Sequence, residues 1–91
     1  MIRHKKIYLR HFGYGEQDHI PCEICGVPAN DIHHIQSRGM GGTSKDLDTI
    51  ENLMALCRNH HNQCGASIKF NQYAKKIHLH FIKMRAHNES I

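Results

Sequence analysis

The apolar positions in the last third of the chain recur with a helical period. Phe70, Ala74, Ile77, Phe81 and Met84 step by four, three, four and three residues, which makes one stripe on an α-helix. Ile68 and Tyr73 widen the stripe, Ser67 stands where an N-cap belongs, and Lys69, Lys75, Lys76, Lys83 and Arg85 fall largely on other faces. A helix over 67–87, packed on a core through that stripe, is expected. Upstream the pattern shortens. DIHHI (31–35) has β-branched Ile32 and Ile35, and LMALC (53–57) is a brief apolar run, so both read as short strands. QSRGMGGTSKD between them is a glycine-rich loop, and RNHHNQC (58–64) reads as a helix stopped by Gly65. CEICG (22–26) is a tight turn. Residues 1–14, ended by GYGEQDHIP, read as an extended arm or short strand.

These elements fit one domain: a basic N-terminal arm (1–19), a core (20–65) and a C-terminal helix (67–87) in a chain of 91 residues. A domain this small buries a modest core and commonly relies on a disulfide or a metal. The basic start MIRHKKIYLRHF lacks the apolar stretch of a secretory signal, and no run is apolar enough to span a membrane. In that setting the four cysteines read as thiols or metal ligands rather than disulfides. Ten histidines raise the expectation of metal ligation or proton transfer.

Charge changes the picture of partners. Residues 1–15 carry Arg3, Lys5, Lys6 and Arg10 and no acid. Residues 66–91 carry five bases against Glu89, whereas 16–65 hold three bases and seven acids. Two basic flanks around an acidic centre suit a polyanion gripped from both sides, and equally two solvated faces.

The cysteine spacing is more specific. Cys22-x-x-Cys25 lets two thiolates meet one ion from a turn, and Cys57-x-x-His60, beginning 32 residues after Cys25, offers two more ligands at the same spacing. Zinc accepts such a Cys₃His set, with Cys64 an alternative to His60 as fourth ligand. A structural Zn²⁺ here would tie the first turn to a later helix and supply folding free energy. It leaves His33, His34 and His61 unexplained.

CEIC, then DIHHIQSRGMGG, then ENLMALCRNHH, in that order and spacing, resemble the HNH endonucleases and their ββα-metal core. The resemblance covers roughly 20–65 and implies a small α+β fold: two antiparallel strands and a helix around a catalytic metal, with a zinc site behind them and the C-terminal amphipathic helix added. It implies that His34 is the general base that deprotonates the attacking water, and that His33 and His61 are ligands of a catalytic divalent metal. It implies that Asn52 holds the loop and the base in register, and that Cys22, Cys25, Cys57 and position 60 are the structural zinc set. Two positions depart from the family pattern. His60 stands where a cysteine is usual, and Gly65 stands where some members place a further metal-binding histidine. Two protein ligands, with waters and phosphate oxygens completing the shell, suit Mg²⁺ or Mn²⁺.

The implied reaction is hydrolysis of a DNA phosphodiester, leaving a 5′-phosphate. Physical chemistry agrees: a neutral imidazole is a competent base near pH 7. Arg38 in the glycine-rich loop is a candidate phosphate contact, or else a solvated loop arginine. Asp31 is a turn residue or an acid that orients a histidine. The expected partner is DNA, with no membrane; a homodimer or a phage or restriction partner protein is also compatible. The expected location is the cytoplasm of a bacterial or phage-infected cell. The competing reading is a catalytically silent, zinc-stabilised nucleic-acid-binding module; a zinc-bridged protein-interaction domain is weaker.

Overall fold

The computed structural model describes residues 2–36 and 46–89. Its elements run α1 (Arg3–Phe12), β1 (Asp31–His34), a 3₁₀ turn (Ile50–Asn52), β2 (Leu53–Leu56), α2 (Arg58–Ala66) and α3 (Ile68–Glu89). The fold is a small α+β domain, as expected. β1 and β2 pair antiparallel with Asp31 opposite Leu56, Ile32 opposite Ala55, His33 opposite Met54 and His34 opposite Leu53. No helix among the described residues is long and apolar enough to cross a membrane.

Every residue of β2 is fully buried, so its alternating side chains seed two cores. Met54 and Leu56 join Cys22, Ile35, Cys57, Cys64 and Ala74 on one face, with Phe70 and Ile77 of α3 packed against them. Leu53 and Ala55 join Tyr8 and Phe12 of α1 on the other, with Ile32, Phe81 and Ile82 alongside. α3 therefore serves both cores, one with its first half and one with its second.

The first departure from expectation lies at the N-terminus. Residues 3–12 form a helix, not an extended arm. Tyr8, Leu9 and Phe12 bury as a helical stripe beneath the basic residues. Gly13, at φ 74, ends the helix: its N–H donates to Arg10 O, and Tyr14 N–H donates to Leu9 O at 2.8 Å. That pair of bonds is a Schellman cap, and it needs a residue that tolerates the left-handed region. Arg85 of α3 clamps this end, its guanidinium 5.5 Å from the Phe12 ring and 5.6 Å from Phe81.

Two smaller corrections concern α2 and α3. Gly65 does not stop α2, which runs on through Ala66. Ser67 does cap α3, its Oγ accepting from Phe70 N–H at 3.1 Å. Of the expected stripe, Ala74 is fully buried and Phe70, Ile77 and Phe81 pack inward. Met84, Tyr73 and Ile68 face out, and His78 is fully buried instead.

His78 is the polar centre of the fold. Its Nδ1 lies 2.6 Å from Glu23 Oε1 and its Nε2 2.6 Å from Ile50 O. Glu23 Oε2 accepts from Tyr8 O–H at 2.6 Å and from Ala55 N–H at 3.0 Å. The Glu23 N–H also donates to Ala55 O at 3.0 Å. One carboxylate thus joins the cysteine turn, β2, α1 and α3, and no buried polar side-chain atom among the described residues lacks a partner. Burial, followed by the charge and hydrogen bond of Glu23, pushes the Tyr8 hydroxyl far above its ordinary range.

Candidate metal centres and nuclease site

The cysteine turn is built for a metal. Cys22 N–H donates to Val27 O at 2.7 Å and Gly26 N–H to Cys22 O at 2.9 Å; Gly26 takes φ 81, where a glycine fits. The turn points Cys22 and Cys25 at the start of α2, where Cys57 and His60 stand one helical turn apart. All four ligand atoms lie within 4.8 Å of one another. Cys25 Sγ is 3.8 Å from Cys57 Sγ, and His60 Nδ1 is 3.3 Å from Cys57 Sγ and 3.7 Å from Cys22 Sγ. A tetrahedron of Zn–S bonds about 2.3 Å long has edges of about 3.8 Å, so the donor set fits zinc in kind and in spacing.

Burial pushes the Cys22 thiol up, but backbone N–H groups at Cys57, Cys25 and Ile24, with the His60 side chain, outweigh it and bring the thiol down to about 6. A thiolate is the form that binds metal. Of the two candidates for the fourth position, His60 stands in the group. Cys64 is a core thiol outside it, raised by burial and then by the charge of Cys22.

β1 divides the adjacent histidines between its faces. His33 shares the face of Ile35 and turns toward α2 and α3. Its ring centroid is 5.0 Å from that of His61, with the planes at 67°. One cation between the rings could meet a nitrogen of each. Asn71 on α3 orients His33: its Nδ2 donates to Ile35 O at 2.8 Å, which turns Oδ1 toward His33 Nε2 at 2.9 Å. The Nε2–H therefore donates, and the Nδ1 lone pair is left for a metal. Burial holds the His33 ring below the ordinary histidine range; the Asn71 bond opposes this, and His61 and His34 add to it. Asp31 Oδ2 lies 3.4 Å from His61 Nδ1, within reach of that ring.

His34 shares the other face, with Ile32, and turns toward α1. Its Nε2 is 2.7 Å from Asp48 Oδ1, and its ring meets that of His4 edge-on at 4.6 Å. Asp48 Oδ2 accepts from Arg3 Nη1 at 3.2 Å. The bond to His34, then the charges of His34, Arg3 and His4, hold the Asp48 carboxyl below its usual range against the opposing effect of burial. Because a carboxylate only accepts, the neutral His34 ring carries its proton on Nε2 and presents a basic Nδ1.

Asn52 closes the loop between the strands. Its Oδ1 accepts from Gln36 N–H at 2.7 Å, and its Nδ2 donates to Gln36 O at 3.0 Å and Leu47 O at 2.9 Å. It thus ties Gln36, just after β1, to Leu47. Arg38 and the loop glycines lie outside the described residues.

Asn71 and Asp48 were not singled out by sequence reasoning. Asn71 lies beyond the stretch of family resemblance, and Asp48 lies between the motifs that carry it. Neither spacing carries a signal of its partner.

A family model described as "Putative HNHc nuclease" matches residues 6–90. The chain is also 35% identical over 63 residues to "Uncharacterized protein YdfU" of Escherichia coli (strain K12), a match covering 67% of this chain and 18% of that protein. No solved structure matches.

Proposed function

The chain belongs to the HNH nuclease family, and from that premise we propose that it is a metal-dependent endonuclease that hydrolyses DNA phosphodiester bonds with His34 as general base. The observation that carries the reading is the division of labour along β1: His33 meets His61 on one face, while His34 is backed by Asp48 on the other.

His33, through Nδ1, and His61 would hold a catalytic divalent cation, Mg²⁺ or Mn²⁺. Such a cation supplies positive charge to a nonbridging phosphate oxygen and to the leaving oxygen. His34 Nδ1 takes the proton of the attacking water. Asp48 acts as a positioning residue, holding the ring in the required tautomer and stabilising the imidazolium that forms. Asn52 keeps the loop after β1 in register. Cys22, Cys25, Cys57 and His60 would hold a structural Zn²⁺, fastening the cysteine turn to α2. α1, whose His4 meets the His34 ring, also carries the exposed bases Lys5, Lys6 and Arg10, which would add positive charge for a phosphate backbone.

The test is supercoiled plasmid incubated with zinc-loaded protein in Mg²⁺, in Mn²⁺ and in EDTA, beside a folded His61→Ala variant. Metal-dependent nicking that weakens in the variant is expected. Retardation of the plasmid without cleavage in any metal would overturn the reading in favour of a nucleic-acid-binding module.

A further inference from the structure

The same face of β1 that bears His34 carries a second set of metal-capable atoms. His4, in the first turn of α1, His34 and Asp48 each bring a ligand atom within 4.8 Å of the others, and all three are half-buried. Two imidazoles and one carboxylate are a donor set for a borderline transition ion rather than for Mg²⁺, which prefers oxygen. Three protein ligands with one position open to water match a four-coordinate zinc site. The surroundings favour it: Asp48 keeps Oδ2 on Arg3 while Oδ1 faces His34, so the carboxylate is already oriented by a hydrogen-bonded partner.

We propose that His4, His34 and Asp48 form an inhibitory site for Zn²⁺ or a similar transition cation, distinct from both the Cys₃His group and the His33–His61 pair. This rests on the reading of His34 as the base. The chemistry of inhibition follows from the ring's two nitrogens. In the active form the single proton of neutral His34 sits on Nε2, bonded to Asp48, and Nδ1 is basic. An ion at the site takes the Nε2 lone pair, so the proton resides on Nδ1. No proton is gained or lost at His34, but Nδ1 changes from acceptor to donor and can no longer deprotonate water. Asp48 passes from hydrogen-bond acceptor to ligand. His4 enters as a neutral imidazole, and it is the member of the set to which the proposed hydrolysis assigns no step.

The test uses protein whose Cys₃His group is already filled with zinc. Ring-nitrogen NMR of the histidines follows added Zn²⁺ and gives a Kd; the plasmid nicking rate in excess Mg²⁺ is measured over the same range. His4 and His34 signals are expected to shift together. At about ten times that Kd the wild-type rate should fall to about a tenth, while His4→Gln nicks normally without zinc and is insensitive to it. Zinc that moves only His33 and His61, or inhibition that survives His4→Gln, would overturn the proposal. Should the wild type nick in no metal, the nuclease reading fails by itself, and the NMR shifts of His4 and His34 still decide whether the site exists.

Discussion

Asn71 holds His33 from both ends of its amide: Oδ1 faces the ring Nε2 at 2.9 Å while Nδ2 anchors on Ile35 O at 2.8 Å. A residue of α3 thereby fixes the tautomer of a β1 histidine 38 positions earlier in the chain. Removing an orienting partner of a metal-binding histidine commonly costs about 10–100-fold in affinity or activity. Asn71→Ala should therefore need far more Mg²⁺ to reach its maximal rate, with the circular dichroism of the folded chain unchanged. A metal titration of the nicking rate reads this directly.

The Cys₃His group should govern folding. Structural zinc in small domains contributes on the order of 10 kcal/mol to folding, comparable with the whole stability of a domain this size. Chelator treatment should abolish the cooperative thermal transition; Zn²⁺ should restore it and Mg²⁺ should not. Metal analysis of variants distinguishes the fourth ligand: Cys64→Ala should keep one zinc per chain, and Cys57→Ser should lose it.

His78 and Glu23 form a fully buried pair. Breaking a buried pair by removing one partner costs about 3–5 kcal/mol; here Glu23 Oε1 would lose its partner while Oε2 keeps Tyr8 and Ala55. His78→Leu should lower the unfolding midpoint in denaturant accordingly, while zinc content stays at one per folded chain. A midpoint unchanged from wild type would mean that the network contributes nothing to the stability of the fold.

Burial holds the His33 ring below the ordinary histidine range, with His61 and His34 adding to this. The folded chain therefore binds this proton less readily than the unfolded chain, whose midpoint is about 6.5. Between the folded midpoint and about 6.5 the unfolded state holds more protons, so the His33 contribution to stability improves as pH rises through that window and is constant above it. An NMR titration of the His33 ring should give a midpoint below about 6.5. A higher midpoint would remove the physical reason for its readiness to ligate at neutral pH.

How much of this was legible in the chain depends on whether the signal was local. The two strands were, because Ile32 and Ile35 and the apolar run 53–56 carry it themselves. So were the thiol–imidazole group, whose two-residue gaps are a property of single turns, and the Ser67 cap. α1 was not read. Residues 1–14 read as an extended arm or short strand, although the i, i+4 pair Tyr8–Phe12 followed by Gly13 is a helix ending on a left-handed cap. The stripe on α3 left out His78, because a buried histidine is tolerable only with Glu23, 55 residues away, opposite it. Asp48 and Asn71 were invisible for the same reason: each matters through a partner that only the tertiary fold supplies.

Asp48 tests the tautomer argument. Asp48→Asn can turn an N–H toward Nε2 and so place the His34 proton on Nδ1, the wrong nitrogen for a base. It should slow hydrolysis more than Asp48→Ala, which leaves the ring free to hold either tautomer. The comparison requires equal DNA binding by both variants, checked by gel retardation. An Asn variant faster than the Ala variant would contradict the assigned geometry.

The most direct measurement is the single-turnover rate of phosphodiester cleavage by zinc-loaded wild type and by a folded, zinc-loaded His34→Ala variant at saturating Mg²⁺. General-base catalysis contributes about 10²–10⁴-fold, so the variant should lose about that much in rate while binding DNA equally well. Equal rates in the two proteins would contradict the account, since the proton of the attacking water would then be leaving by a route other than His34.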